Sequence, residues 1–120
     1  MNRIALPIAL LAGGLPSFAA FAHAFLDHAV PAVGASVSAA PTEVRLFYTQ
    51  SLEPTFSAAT ISSADGQPIA TGAAAVDPQN PMELVLKLPP LAPGHYKVSW
   101  HVVSVDTHRT EGSFGFDVQR

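Results

Sequence analysis

A histidine that begins a protein chain is a different ligand from one inside it, because its free α-amine and its own Nδ1 can close a chelate ring on the same metal ion. His23 becomes such a residue if the chain is cut after Ala20-Phe21-Ala22, a small-x-small sequence of the type removed with secretory leaders. Far along the chain, Val105-Asp106-Thr107-His108 offers a carboxylate and an imidazole at i and i+2. That spacing puts both side chains on the same face of an extended segment. One amine, two imidazoles and one carboxylate form a square-planar or tetragonal N,O set, which suits Cu(II), the ion that also stands highest in the divalent affinity order. A D-x-H triplet alone is common in exposed loops and carries little information. Joined to a processed N-terminal histidine it becomes a candidate metal centre of His23, Asp106 and His108, binding one Cu(II) per chain.

The leader that must be removed to create this site is legible. Met1-Asn2-Arg3 supplies a positive start, Ile4 to Ala12 is an apolar stretch of signal-peptide length, and the small-x-small site follows. A membrane anchor is the competing reading, but a spanning helix needs about 20 continuous apolar residues, and Gly13, Gly14, Pro16 and Ser17 interrupt this one. Residues 1–22 are therefore expected to be a signal peptide and residues 23–120 a single domain, exported to the periplasm. Nothing later in the chain is long and apolar enough to span a bilayer, so the mature form is expected not to be membrane-embedded.

Composition narrows the chemistry further. The chain has six basic and nine acidic residues, and one of the six, Arg3, belongs to the leader. A nucleic-acid binder needs clustered Lys and Arg to displace counterions from phosphates, and no such cluster is present. There is no Cys, so an exported domain of this size must be held by its core, with a bound metal as the available supplement. The methionines are Met1 and Met82, too few for a thioether-rich Cu(I) site.

The elements that must position the ligands are strands. Pro and Gly clusters divide the chain into short apolar runs without helical periodicity, the pattern of an all-β sandwich or barrel. Val44, Leu46 and Tyr48 share one face of an extended Glu43–Thr49, and Leu84, Leu86 and Leu88 share one face of the next alternating run. A weaker strand over 58–62 is followed by Asp65-Gly66, suited to a turn with positive φ. The strongest signal places Tyr96, Val98, Trp100 and Val102 inward, leaving His95 and His101 outward, and Phe114, Phe116 and Val118 line the last strand. Tyr96, following Pro93-Gly94 at a strand start, occupies the position of a tyrosine corner in immunoglobulin-like sandwiches.

Several residues have plainer readings. Asp27 and His28 read as a solvated surface pair, Glu53 as opening the turn before Pro54 or orienting a ligand through a hydrogen bond, Trp100 as core, and Arg109 as an exposed arginine or one that screens the site or meets a partner.

On these residues the chain resembles the CopC family of periplasmic copper-binding proteins, over nearly the whole mature length. The resemblance rests on His23-Ala24 with Pro31-Ala32 following, and on Leu46-Phe47-Tyr48-Thr49-Gln50-Ser51-Leu52-Glu53-Pro54. It rests most specifically on Leu91-Ala92-Pro93-Gly94-His95-Tyr96-Lys97-Val98-Ser99-Trp100 and Val103-Ser104-Val105-Asp106-Thr107-His108. It implies a Greek-key sandwich of about seven strands, immunoglobulin-like or cupredoxin-like, and Cu(II) held at the positions of His23, Asp106 and His108. It also implies a CopD-type inner-membrane partner to which copper is passed. Two departures stand out. Gln50 replaces a glutamate common in the family, and the region 62–81 lacks the Met-rich segment with a histidine that marks a second, Cu(I) site. The expectation is a Cu(II)-only carrier or buffer in copper homeostasis and resistance, without catalytic activity. The alternative is a copper monooxygenase-like enzyme using an N-terminal histidine brace. Asp106 weighs against it by filling a position that oxygen chemistry needs open.

Overall fold

A computed structural model of the protein describes residues 24–120. His23 and the expected leader over 1–22, with its cleavage point, lie outside the described residues. The described residues form eight strands: β1 (Leu26–Val30), β2 (Ser36–Val37), β3 (Glu43–Tyr48), β4 (Ala58–Ser63), β5 (Ala75–Asp77), β6 (Asn80–Lys87), β7 (Gly94–Val103) and β8 (Arg109–Val118). They make two four-stranded sheets, ordered β1-β3-β6-β5 and β2-β8-β7-β4. Only β5–β6 and β7–β8 are consecutive within a sheet. Every other connection crosses the sandwich, as in Greek-key folds. The expectation of about seven strands is met, with the two-residue β2 accounting for the eighth.

Alternation builds the core. Val44, Leu46 and Tyr48 of β3 and Leu84 and Leu86 of β6 face Ile61 of β4, Val98 and Val102 of β7, and Phe114, Phe116 and Val118 of β8, all buried. The β7–β8 hairpin is the spine, paired in unbroken register from Gly94↔Val118 to Val103↔Arg109. The Tyr96 hydroxyl donates to the Ala92 carbonyl four residues upstream, the tie expected of a tyrosine corner. Gly66 has φ +84 and its N–H donates to the Ser63 carbonyl at 2.9 Å, closing the expected turn.

Outside the core, Arg45 reaches Glu43 and Glu83 and lies 3.6 Å from Asp77. This lets Glu83 stay buried as a paired carboxylate. Trp100 packs against the core with its ring edge-on to Tyr48, centroids 5.2 Å apart. Burial pushes the Tyr48 phenol well above its ordinary pKa, so it is neutral throughout the physiological range.

The indole also explains Gly112, its cross-strand partner. A Cβ added there would come within 2.7 Å of Trp100 Cζ2. Gly112→Val is therefore expected to destabilise the domain by about 1–3 kcal/mol through overpacking, measured as a lower urea midpoint at unchanged slope. An unchanged midpoint would show that the indole has room to move.

Candidate metal centre

The D-x-H triplet lies at one end of the sandwich, in the connection of the β7–β8 hairpin. The Thr107 N–H donates to the Ser104 carbonyl at 2.8 Å, and the Ser104 N–H donates to the His108 carbonyl at 2.9 Å. Thr107 has φ +72. This is a three-residue hairpin loop that ends in a left-handed residue. Sequence spacing argued for convergence of Asp106 and His108 through strand alternation, and that physical reason is corrected here. The segment is a tight turn, and its reversal, with a β-branched residue in the sparsely populated left-handed region, aims the two side chains at one another. His108 Nδ1 lies 3.4 Å from Asp106 Oδ1, with the side chains 51% and 35% exposed. Both are accessible to an ion arriving from solvent.

Ser104 is the hub of this turn. Fully buried, it donates its hydroxyl to Asp106 Oδ1 and sits 3.3 Å from the His108 carbonyl oxygen. The Ser104 hydrogen bond, assisted by His108, holds the Asp106 carboxyl below the usual carboxylate range against a smaller opposing effect of desolvation. Asp106 is thus anionic, and one of its oxygens is already oriented by the protein.

Other segments gather around the turn. The Val105 N–H donates to the Ser51 carbonyl at 3.0 Å, and the Glu53 N–H donates to the Val103 carbonyl at 2.7 Å. Glu53 opens a 3₁₀ turn over Pro54–Phe56 through its backbone, with no side-chain cap. The start of the described chain reaches the same end. Ala24 is fully buried, and its carbonyl accepts a 2.6 Å hydrogen bond from the Thr110 hydroxyl. Phe25 exchanges bonds of 3.0 Å with the Thr49 hydroxyl and N–H. Ala24 is the residue that follows His23 in the chain. Among the described residues no group of three His, Asp or Glu side chains converges. The described part of the candidate site is the Asp106–His108 pair.

The remaining histidines are accounted for elsewhere. His28 pairs with Asp27 at 2.7 Å and stacks on Phe47 at 4.3 Å. His95 pairs with Asp117 at the far end of the hairpin. His101 stands on the outer face, opposite Glu111. Ser104 and Thr110 were not singled out from sequence. Thr110 left one signal: it falls on the inward parity of Phe114, Phe116 and Val118, where a hydroxyl needs a partner.

Known proteins share this sequence pattern and this fold. A family model described as the CopC domain matches residues 26–119. Protein YobA of Escherichia coli K12 is 39% identical over 113 residues, covering 93% of this chain and 91% of that protein. Copper resistance protein C of Pseudomonas syringae pv. tomato is 35% identical, covering 99% of this chain and 98% of that one. Among solved structures, CopC from Methylosinus trichosporium OB3b superimposes with a TM-score of 0.77 at 35% identity, covering 81% of this chain and 94% of its own. PcoC, a methionine-rich copper resistance protein from Escherichia coli, gives 0.74 at 31% identity, covering 82% and 100%. Sandwich, hairpin loop and relatives converge: the chain belongs to the CopC family of copper resistance proteins.

Proposed function

We propose that the mature chain is a periplasmic carrier of one Cu(II), made when residues 1–22 are removed and His23 becomes the N-terminus. In this reading the His23 amine and imidazole, the Asp106 carboxylate and the His108 imidazole form the equatorial ligand set. Copper is then passed to a CopD-type inner-membrane protein. The observation that carries it is the placement of an oriented, anionic Asp106 beside His108 at the end of the sandwich where Thr110 holds Ala24, the residue after His23. The donor chemistry fits Cu(II): the set is hard N and O, with no thiolate in the chain. No helix among the described residues is long and apolar enough to cross a membrane. Four protein donors on one Cu(II) would leave little room for oxygen or peroxide to bind, which favours a carrier over an oxygen-activating enzyme.

Intact mass of the exported protein, with and without copper, tests processing and stoichiometry together. The expected result is a chain beginning at His23 that gains one copper. A mature chain beginning elsewhere, or one that takes up no copper, would overturn the proposal.

The pH dependence has a defined sign. Protons compete with copper at an amine of ordinary pKa about 7.7–8.0 and at imidazoles near 6.5. Asp106 is held below the ordinary carboxylate range, so it stays anionic while those nitrogens protonate. Copper affinity is expected to be highest above about pH 8 and to fall steadily through the imidazole range, before carboxylate protonation begins. A competition titration flat from neutral pH to about pH 4 would rule out nitrogen-dominated ligation.

A further inference from the structure

Thr110 lies on the inner-face parity of β8, a row continued by Gly112, Phe114, Phe116 and Val118. A valine would suit the sterics of that position and match its β-propensity. The hydroxyl is spent on a partner 86 residues away in sequence, the Ala24 carbonyl at 2.6 Å. Ala24 itself is fully buried. The bond crosses the sandwich, tying the segment that leads into β1 of one sheet to the first turn of β8 in the other. The start of the described chain is thereby gripped on both sides, because Phe25 is held to Thr49 at the end of β3 through its N–H and its carbonyl. The Thr49 side of the grip includes a backbone donor that no substitution removes. The Thr110 side rests on one side-chain oxygen.

β8 begins at Arg109, directly after His108. The residue that holds Ala24 is thus two positions from one candidate ligand, while Ala24 is one position from another. We infer that Thr110 is a positioning residue for copper capture, its hydroxyl latching the chain start beside the Asp106–His108 turn before the ion arrives. This rests on the reading of His23 as a ligand and adds how that ligand is delivered. A chain terminus is ordinarily the most mobile part of a domain, and a ligand on a free terminus must be ordered at the moment of binding. Ordering it in advance removes that cost from the binding step. Groups that orient metal ligands from outside the coordination sphere typically contribute about 10–100-fold in metal affinity.

The test compares Thr110→Val and Thr110→Ser in the protein beginning at His23, and repeats the valine change in protein carrying one extra, N-acetylated residue ahead of His23. Cu(II) affinity is read by competition titration, ligation by EPR and stability by thermal melting. The expected result is an affinity loss of about tenfold or more for Thr110→Val, with a mixed EPR spectrum, near-complete rescue in Thr110→Ser, and no further loss from the valine change in the extended protein. That coupling identifies action through the chain start. A lower melting temperature with unchanged affinity and EPR would overturn the inference and leave Thr110 a structural hydrogen bond. An equal loss in cleaved and extended proteins would also overturn it, by placing the effect in the turn. If extended and cleaved wild-type proteins bind copper equally well, the underlying chelate fails and the latch with it. Should the valine variant not accumulate, Thr110→Ala supplies the same comparison.

Discussion

Protein that carries a single N-acetylated residue ahead of His23 is expected to lose nearly all of its Cu(II) affinity. The extension converts the terminal amine into an amide, which at neutral pH carries a proton and offers no lone pair of comparable basicity. It therefore removes one nitrogen donor outright and breaks the chelate that gives the His23 imidazole its advantage. What remains is a His23 imidazole without its chelate beside the exposed Asp106–His108 pair, a weak site for any divalent ion. The loss should exceed the roughly 100-fold upper range for disturbing a group outside the coordination sphere. The sandwich should be indifferent, since the core among the described residues runs from Ala24 onward through residues that the extension does not alter. Competition titrations of the extended and cleaved proteins against the same chelator check this. Equal affinities would refute the N-terminal chelate while leaving the fold and family membership standing.

The second large effect is expected at His108. Under the proposed ligation its replacement by Ala removes an imidazole donor, so affinity should fall by more than about 100-fold, and the Cu(II) EPR spectrum should shift toward more oxygen donors. His95→Ala, His101→Ala and His28→Ala should leave the spectrum alone, each for a reason visible in the fold. His95 is paired with Asp117 at the opposite end of β7. His101 occupies the outer face of the β7–β8 hairpin. His28 is engaged by Asp27 and stacked on Phe47. A spectrum altered by His101→Ala and untouched by His108→Ala would move the centre to another face of the sandwich.

The Asp106–His108 pair is itself held by a residue outside it. Ser104 donates its hydroxyl to Asp106, and its N–H bonds the His108 carbonyl, so it governs both members of the pair without being a ligand. Metal sites are commonly built this way, with the orientation of the ligands set by hydrogen bonds one layer further out.

Strand alternation made most of the sandwich readable from sequence. In β3, β7 and β8 the apolar residues recur every second position and the structure buries them as that period requires. Tyr96 and Gly66 were readable for a related reason, since both act on the few residues adjacent to them. β1 escaped because its sequence, Leu-Asp-His-Ala-Val, has a single buried residue, Ala29, and pairs on one side only. An edge strand of that kind has no apolar period to show.

The candidate site divides along the same physical line. Sequence by itself determined which candidate donors are on offer: a histidine after a cleavage motif, a carboxylate and imidazole two apart, and the lack of thiolates, all of which are properties of residues and short spacings. Only the tertiary structure decided how Asp106 and His108 converge, through a left-handed Thr107 in a hairpin turn, and which hydroxyls secure the end of the sandwich. Ser104 can be assigned to Asp106 only once the turn has closed. Thr110 can be assigned to Ala24 only once the two sheets have packed, because a hydrogen bond between residues 86 apart depends on a geometry that no local period encodes.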